Sequence, residues 1–343
     1  MNKHQAFRLG RLSFLLDRRS ALIFLILLAL TFVTVLVSAG MGQMQIHPLN
    51  VLNVLIGQGT PQDALIVTSF RLPRIVAGLL VGMSLAVSGA ILQSIIRNPL
   101  ASPDVIGITG GASVAAVVFI TMFETASIQW LPFAALVGAA AITLLIYALA
   151  YKSGVTPMRL VLVGVGINAA ATAVTTLLIV MSPIYLTQKA FVWLTGSVYG
   201  STWGSVQTML PWVVLFIPLA IGLSRNINIQ QLGDDLATGV GHPVQRQRFL
   251  LLLICVALAG VAVAIGGAIG FVGLLAPHIA RKLVGPLSGS LLPASALVGG
   301  LLVILADLLA RMAMPPLDLP VGIFTAAIGA PFFIYLLYKN RNK

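Results

Sequence analysis

The feature that most constrains this chain is the recurrence of apolar runs, each of membrane-crossing length and each bounded by short basic clusters. Taking roughly 17 to 25 apolar residues per crossing, the sequence predicts spans near 20–40, 72–96, 104–122, 131–151, 157–181, 207–224, 249–266, 269–284, 290–312 and 320–338. A backbone crossing lipid must satisfy its own amides, which makes these runs helices. The expected fold class is an all-α polytopic membrane protein of about ten transmembrane helices, with residues 1–343 in one transmembrane domain. Composition agrees, because 8% charged residues is far below the roughly 25% of a soluble domain.

The apolar stretch from Phe249 to Pro277 is read as two helices. Gly266, Gly267, Gly270 and Gly273 cluster where a turn is needed, and a single crossing would separate Arg281 and Lys282 from Arg246 and Arg248. With the N-terminal segment 1–19 inside, only Arg71, Arg74, Lys189 and Arg311 of the 20 Lys and Arg fall on the outer side. This asymmetry predicts cytoplasmic termini and a retained first helix in place of a cleaved signal. It also explains the net charge of +12 by topology, so no nucleic-acid partner is expected. Arg74 to Pro103 and Arg248 to Pro277 have equal spacing, and the same offset carries Gly111 onto Gly285. The two segments run in opposite directions, the pattern of an inverted repeat.

No phosphate-binding loop, metalloprotease motif, nucleophile elbow or Cys/His metal spacing occurs, and Cys255 is the only cysteine. No enzyme chemistry, cofactor or metal site is expected. Of the eight acids only Asp307 is placed deep, paired with Arg311 one helical turn on as a structural ion pair. An ion-driven carrier generally needs several such groups, so the energy source is expected in another chain. The longest polar stretch between spans is 225–248, in which Gln231 to Val240 can form a short helix with Asp234 and Asp235 in its first turn. Such a helix suits a cytosolic partner, although a solvated connector fits the same residues. From Gly78 to Ile96 nothing is ionisable, and Gly78, Gly82, Ala86, Ser88, Gly89 and Ala90 allow close helix packing. Asn98 before Pro99 is read as shaping a turn, and His278 as a satisfied structural histidine.

Several stretches, in order, resemble the ABC-importer permeases for iron-siderophore complexes and cobalamin, the FecCD-like or BtuCD-like type. They are Arg71-Leu72-Pro73-Arg74, Ser88-Gly89-Ala90 and Asn98-Pro99-Leu100-Ala101; Leu232-Gly233, Ala237 and Val240-Gly241; and Gly270-Phe271-Val272-Gly273-Leu274 with Pro277-His278-Ile279 and Arg281. Ala306-Asp307, Ala310-Arg311, Leu319-Pro320-Val321-Gly322 and Gly329-Ala330-Pro331 complete the set. The resemblance implies a type II importer permease in a bacterial plasma membrane, moving iron(III)-siderophore complexes. Its implied partners are a second permease subunit (the same chain or a paralogue), two cytosolic ATPase subunits and an extracytoplasmic substrate-binding protein. It further implies that Asp234, Asp235, Leu236, Ala237, Val240 and Gly241 couple to the ATPase, and that Arg71, Arg74 and Arg311 pair with acidic residues of the binding protein.

For the pathway, Gly164, Asn168 and Thr172 mark a small, weakly polar helix face, and Met83 and Gln93 are further candidates; ordinary small-residue packing fits all of them equally. A cobalamin or haem permease of the same family stays open as an alternative, as do an ion-coupled carrier and a membrane-embedded enzyme.

Overall fold

A computed structural model of the chain describes residues 5–9, 12–16, 18–42, 44–315 and 317–340. Lys3, Arg11, Arg341 and Lys343, counted above among the Lys and Arg that set the topology, lie outside the described residues. A short antiparallel hairpin, β1 (Gln5–Leu9) and β2 (Leu12–Leu16), precedes an otherwise helical chain. The helices are α1 (Arg18–Gly40), α2 (Pro48–Leu55), α3 (Pro61–Ala64), α4 (Leu72–Ile96), α5 (Ile108–Met122), α6 (Leu131–Ala150), α7 (Pro157–Val180) and α8 (Ile184–Thr195). They continue as α9 (Trp203–Gly222), α10 (Ser224–Gln231), α11 (Asp234–Gly239), α12 (Val244–Gly266), α13 (Val272–Val284), α14 (Ser288–Ala313) and α15 (Val321–Asn340).

The ten predicted spans correspond to α1, α4, α5, α6, α7, α9, α12, α13, α14 and α15. Among the described residues, seven helical segments are long and apolar enough to cross a membrane, one of them the continuous Pro61–Ile96. Of the other three, α5 and α13 are shorter and the apolar part of α15 runs only from Val321 to Tyr335; α5 is extended at its start by a 3-10 turn, Pro103–Ile106. The predicted hairpin within 249–284 is present: α12 ends at Gly266 as expected, and the break after it is longer than expected. Gly267 and Phe271 both have positive φ, near 69° and 67°, and α13 begins only at Val272. The expected helix Gln231 to Val240 is corrected to α10 and α11, because Gly233 at φ 104° ends one before the other begins.

Buried α4 is the hub, with most of its residues covered by neighbouring helices. It packs on α13 and α14, and α12 packs on α5 and α6 in the same manner. Exchanging the two three-helix sets, α4–α6 and α12–α14, therefore reproduces the contacts, as expected of an internal repeat. The close approaches use glycine. At Gly82 the backbone of Gly299 and Gly300 fills the place of a side chain, and at Gly89 the backbone of Gly273 does so.

Candidate functional site

The two ends of the bundle carry the polar clusters. At one end, α11 is fastened through a single carboxylate. Asp234 Oδ1 accepts from Arg248 Nη2 at 2.7 Å and lies 3.5 Å from Arg97 Nη2. Arg248, in the first turns of α12, is 1% exposed, and its Nη1 donates to the Val155 carbonyl. Gln245 holds the same peptide unit, its Oε1 accepting from Val155 N at 2.8 Å and its Nε2 donating to Val155 O at 3.3 Å. Arg97 closes α4 in the left-handed conformation, and Asn98 Oδ1 then accepts from Leu100 N at 2.9 Å, the turn expected at Asn98-Pro99. The ends of α4, α11 and α12 and the turn between α6 and α7 thus converge on Asp234. Beside them opens a cavity of about 740 Å³ lined by Arg97, Asn98, Pro99, Met158, Asp234 and Asp235 among others. Ala237 anchors α11, whereas Asp235, Leu236, Val240 and Gly241 face outward, Leu236 and Val240 being 65% and 69% exposed. Desolvation pushes the imidazole of neighbouring His242 below its usual range, so it is uncharged at neutral pH and adds no cation to the cluster.

The opposite end holds a network of arginine and aspartate. Arg74 Nε donates to Asp307 Oδ1 at 2.8 Å and Nη1 to Asp318 Oδ1 at 3.0 Å, while Arg311 Nε lies 3.1 Å from Asp307 Oδ2. The expected Asp307–Arg311 pair is thus one part of a larger cluster. Arg71 donates to the carbonyls of Ala39, Gly40 and Met44, and Arg311 to Ser38, which ties both to the end of α1. The three arginines are largely buried and form the floor of a cavity of about 400 Å³, walled by Phe70, Tyr199, Leu317 and Asp318. Sequence reasoning missed Asp318 and the link from Arg74 to Asp307, since the partners lie on opposite ends of the chain and share no local pattern.

The pathway candidates are spread between these ends. Gln93 is 3% exposed, its Nε2 3.4 Å from Leu274 O and its Oε1 3.2 Å from Arg281 Nη2. Met83 is half-buried against the core. On α7, Gly164 packs on the Val105 backbone, Asn168 reaches Gly110, and Thr172 is exposed. One stripe of α7 (Leu160, Gly164, Ala171, Thr175) is covered while the rest faces outward. His278, expected to be satisfied, stacks edge-on against Phe332, and among the described residues its Nε2 has no hydrogen-bond partner. Lys189 lies on α8, an amphipathic helix the sequence reading did not foresee.

Residues 29–339 match the model of the FecCD transport family. The chain belongs to that family. It is 51% identical over 332 residues, 95% of this chain and 97% of the other, to a Bacillus subtilis (strain 168) protein named "Probable siderophore transport system permease protein YfhA". It is 49% identical to the achromobactin transport system permease protein CbrC of Dickeya dadantii (strain 3937), covering 92% of this chain and 90% of that one. A solved structure titled "An inward-facing conformation of a putative metal-chelate type ABC transporter" superposes with a TM-score of 0.84 at 32% identity, covering 93% of this chain and 99% of the other. As a FecCD permease the chain is the membrane-spanning transport component of an ABC importer, and ATP hydrolysis belongs to a partner chain. Within this FecCD chain, the two polar clusters sit at opposite ends of α4, one at Arg74 and one beyond Arg97.

Proposed function

We propose that this FecCD permease carries iron(III)-siderophore complexes inward across a bacterial plasma membrane, as one permease domain spanning 1–343 with both termini cytoplasmic. The observation that carries this reading is the near full-length identity to a permease named for siderophore transport. Charge placement supports the orientation. Arg18, Arg19, Arg97, Lys152, Arg159, Arg246, Arg248 and Lys282 gather at the Asp234 end, and the opposite end holds Arg71, Arg74, Lys189 and Arg311. In this assignment α11 is the coupling helix: Leu236 and Val240 enter an ATPase groove, and Asp234 passes its displacement to α4 and α12. A second permease subunit, the same chain or a paralogue, faces the open side of α7, where Gly164, Asn168 and Thr172, with Met83 and Gln93 deeper in, border the passage. Arg71, Arg74 and Arg311 receive acidic residues of the extracytoplasmic binding protein.

Uptake of labelled ferric siderophore into liposomes that contain the permease pair, ATPase and binding protein tests the whole reading. ATP-dependent accumulation is expected; accumulation driven by a proton or sodium gradient without the ATPase would overturn it. Docking has its own check. Arg71→Gln is expected to weaken binding-protein affinity about tenfold at low salt and less at high salt, whereas an affinity equal to wild type at both would remove Arg71 from docking.

A further inference from the structure

The Arg74 network contains a carboxylate of a different kind from the rest. Asp307 lies within α14, is 2% exposed, and is shared by Arg74 and Arg311 as part of the packed bundle. Asp318 instead sits on the segment between α14 and α15, outside any helix, with its side chain 30% exposed at the wall of the cavity. It reaches Arg74 through one oxygen on one nitrogen. Arg74 Nη2 is buried and has no hydrogen-bond partner among the described residues, and the guanidinium lies 5.3 Å from the centre of the Tyr199 ring. A guanidinium with this geometry can take a carboxylate through two parallel hydrogen bonds, and here one prong is left free. Charge points the same way. Arg74 and Arg311 hold both carboxylates within ion-pair distance, and among the described residues the third arginine, Arg71, pairs with none. The cavity therefore has a resident carboxylate held by half of what Arg74 offers, and surplus positive charge around it.

We propose that Asp318 is a placeholder: it occupies Arg74 in the free permease and gives way to a carboxylate of the acidic protein surface that docks there. This rests on the docking role of the arginines proposed above. The exchange conserves charge at Arg74, since one carboxylate leaves as another arrives while Asp307 stays in place, so the number of anions around the buried cation does not change. It also sets a threshold for docking, because a weakly acidic or wrongly placed partner does not outcompete Asp318. When Asp318 is released, the Leu317–Pro320 stretch that leads into α15 loses its tie to α4. Docking is then felt at the start of α15, where Gly322 N bonds Gly196 O at 3.0 Å.

The test uses the permease–ATPase complex in nanodiscs and the binding protein as titrant. Asp318→Asn keeps the size of the side chain and removes the competing charge, so affinity is expected to rise about fivefold. In the free complex, amide exchange over 317–323 is expected to rise in D318N to the level that wild type shows only when docked. Hydrogen exchange of α4 and α14 in the same sample verifies that the variant is folded. If D318N docks as wild type or more weakly while Arg71→Gln still loses affinity, Asp318 is a structural contact and the placeholder role is wrong, with docking intact. If neither variant changes affinity, docking at these arginines fails and the placeholder with it.

Discussion

Gly89→Leu is expected to eliminate the folded permease. At Gly89 the α4 backbone meets the Gly273 backbone of α13 with no room for a Cβ, so any side chain must separate the two helices. Adding methylenes to a packed core costs typically about 1–3 kcal/mol where side chains can yield; here the obstacle is main chain, and the helix cannot retreat. Two turns away, Gly82 is pressed against Gly299 and Gly300 of α14 in the same manner, so moving α4 off α13 strains its seam with α14. A loss of more than about 4 kcal/mol follows, in the range reserved for disrupted cores. Gly89→Ala carries a smaller part of it. Gly222→Ala, at the end of α9 with open space where its Cβ would go, is the control and is expected to hold or gain stability by up to about 1 kcal/mol. Thermal unfolding in detergent, followed by size-exclusion recovery, reads all three. A monodisperse Gly89→Leu variant melting with wild type would show that the α4–α13 approach is not what holds the bundle.

Why the helices were legible and the clusters were not has a common cause. A span is specified by its own residues. The apolar run of α4 between Arg74 and Arg97, or of α14 around Asp307, needs no distant partner to be recognised. The α12–α13 break was likewise local, written in Gly266, Gly267 and Gly270 and in the side on which Arg281 must emerge. Helix α8 escaped because its 12 residues are too few for a crossing, and Lys189 and Gln188 interrupt its apolar pattern. Gly233 was visible, but only the observed φ of 104° reveals that it divides a short polar helix in two. The ion pairs depend on topology. Arg74 meets Asp307 because α14 packs along α4, and Arg248 meets Asp234 because α12 folds back beside α11. The equal spacing of Arg74–Pro103 and Arg248–Pro277 held the one sequence trace of this. Both arginines open the first helix of a repeat and both are buried on an aspartate, Arg74 at one face and Arg248 at the other.

That correspondence makes the Asp234 joint the second place where a small change should have a large effect, and the two halves of its ion pair should not be equivalent. Arg248 is 1% exposed, and among the described residues its Nε has no hydrogen-bond partner and its hydrogen bonds go to Asp234 and the Val155 carbonyl. Asp234 is 30% exposed and retains Arg97 at 3.5 Å if Arg248 is removed. Removing the acid therefore strands a buried cation, while removing the base leaves a solvated anion with a second partner. Breaking a buried pair from the side that strands a buried charge costs up to about 3–5 kcal/mol; removing Arg248 instead leaves Asp234 with water and Arg97, so that penalty is largely absent. Asp234→Asn keeps an oxygen that still accepts a hydrogen bond and sits partly in water, which brings its expected loss to about 2 kcal/mol. Arg248→Met is expected to lose less than about 1 kcal/mol. Under the coupling role proposed for α11, the order carries through to activity. D234N unfastens α11 from α4 and α12 together and is expected to lower transport-coupled ATP hydrolysis at least tenfold, whereas R248M keeps the Arg97 tie and a large part of the rate. Denaturant titration and coupled ATPase assays of the two variants decide it: if R248M is the more damaged in both, the joint is organised around Arg248 and its grip on the α6–α7 turn, with Asp234 a bystander.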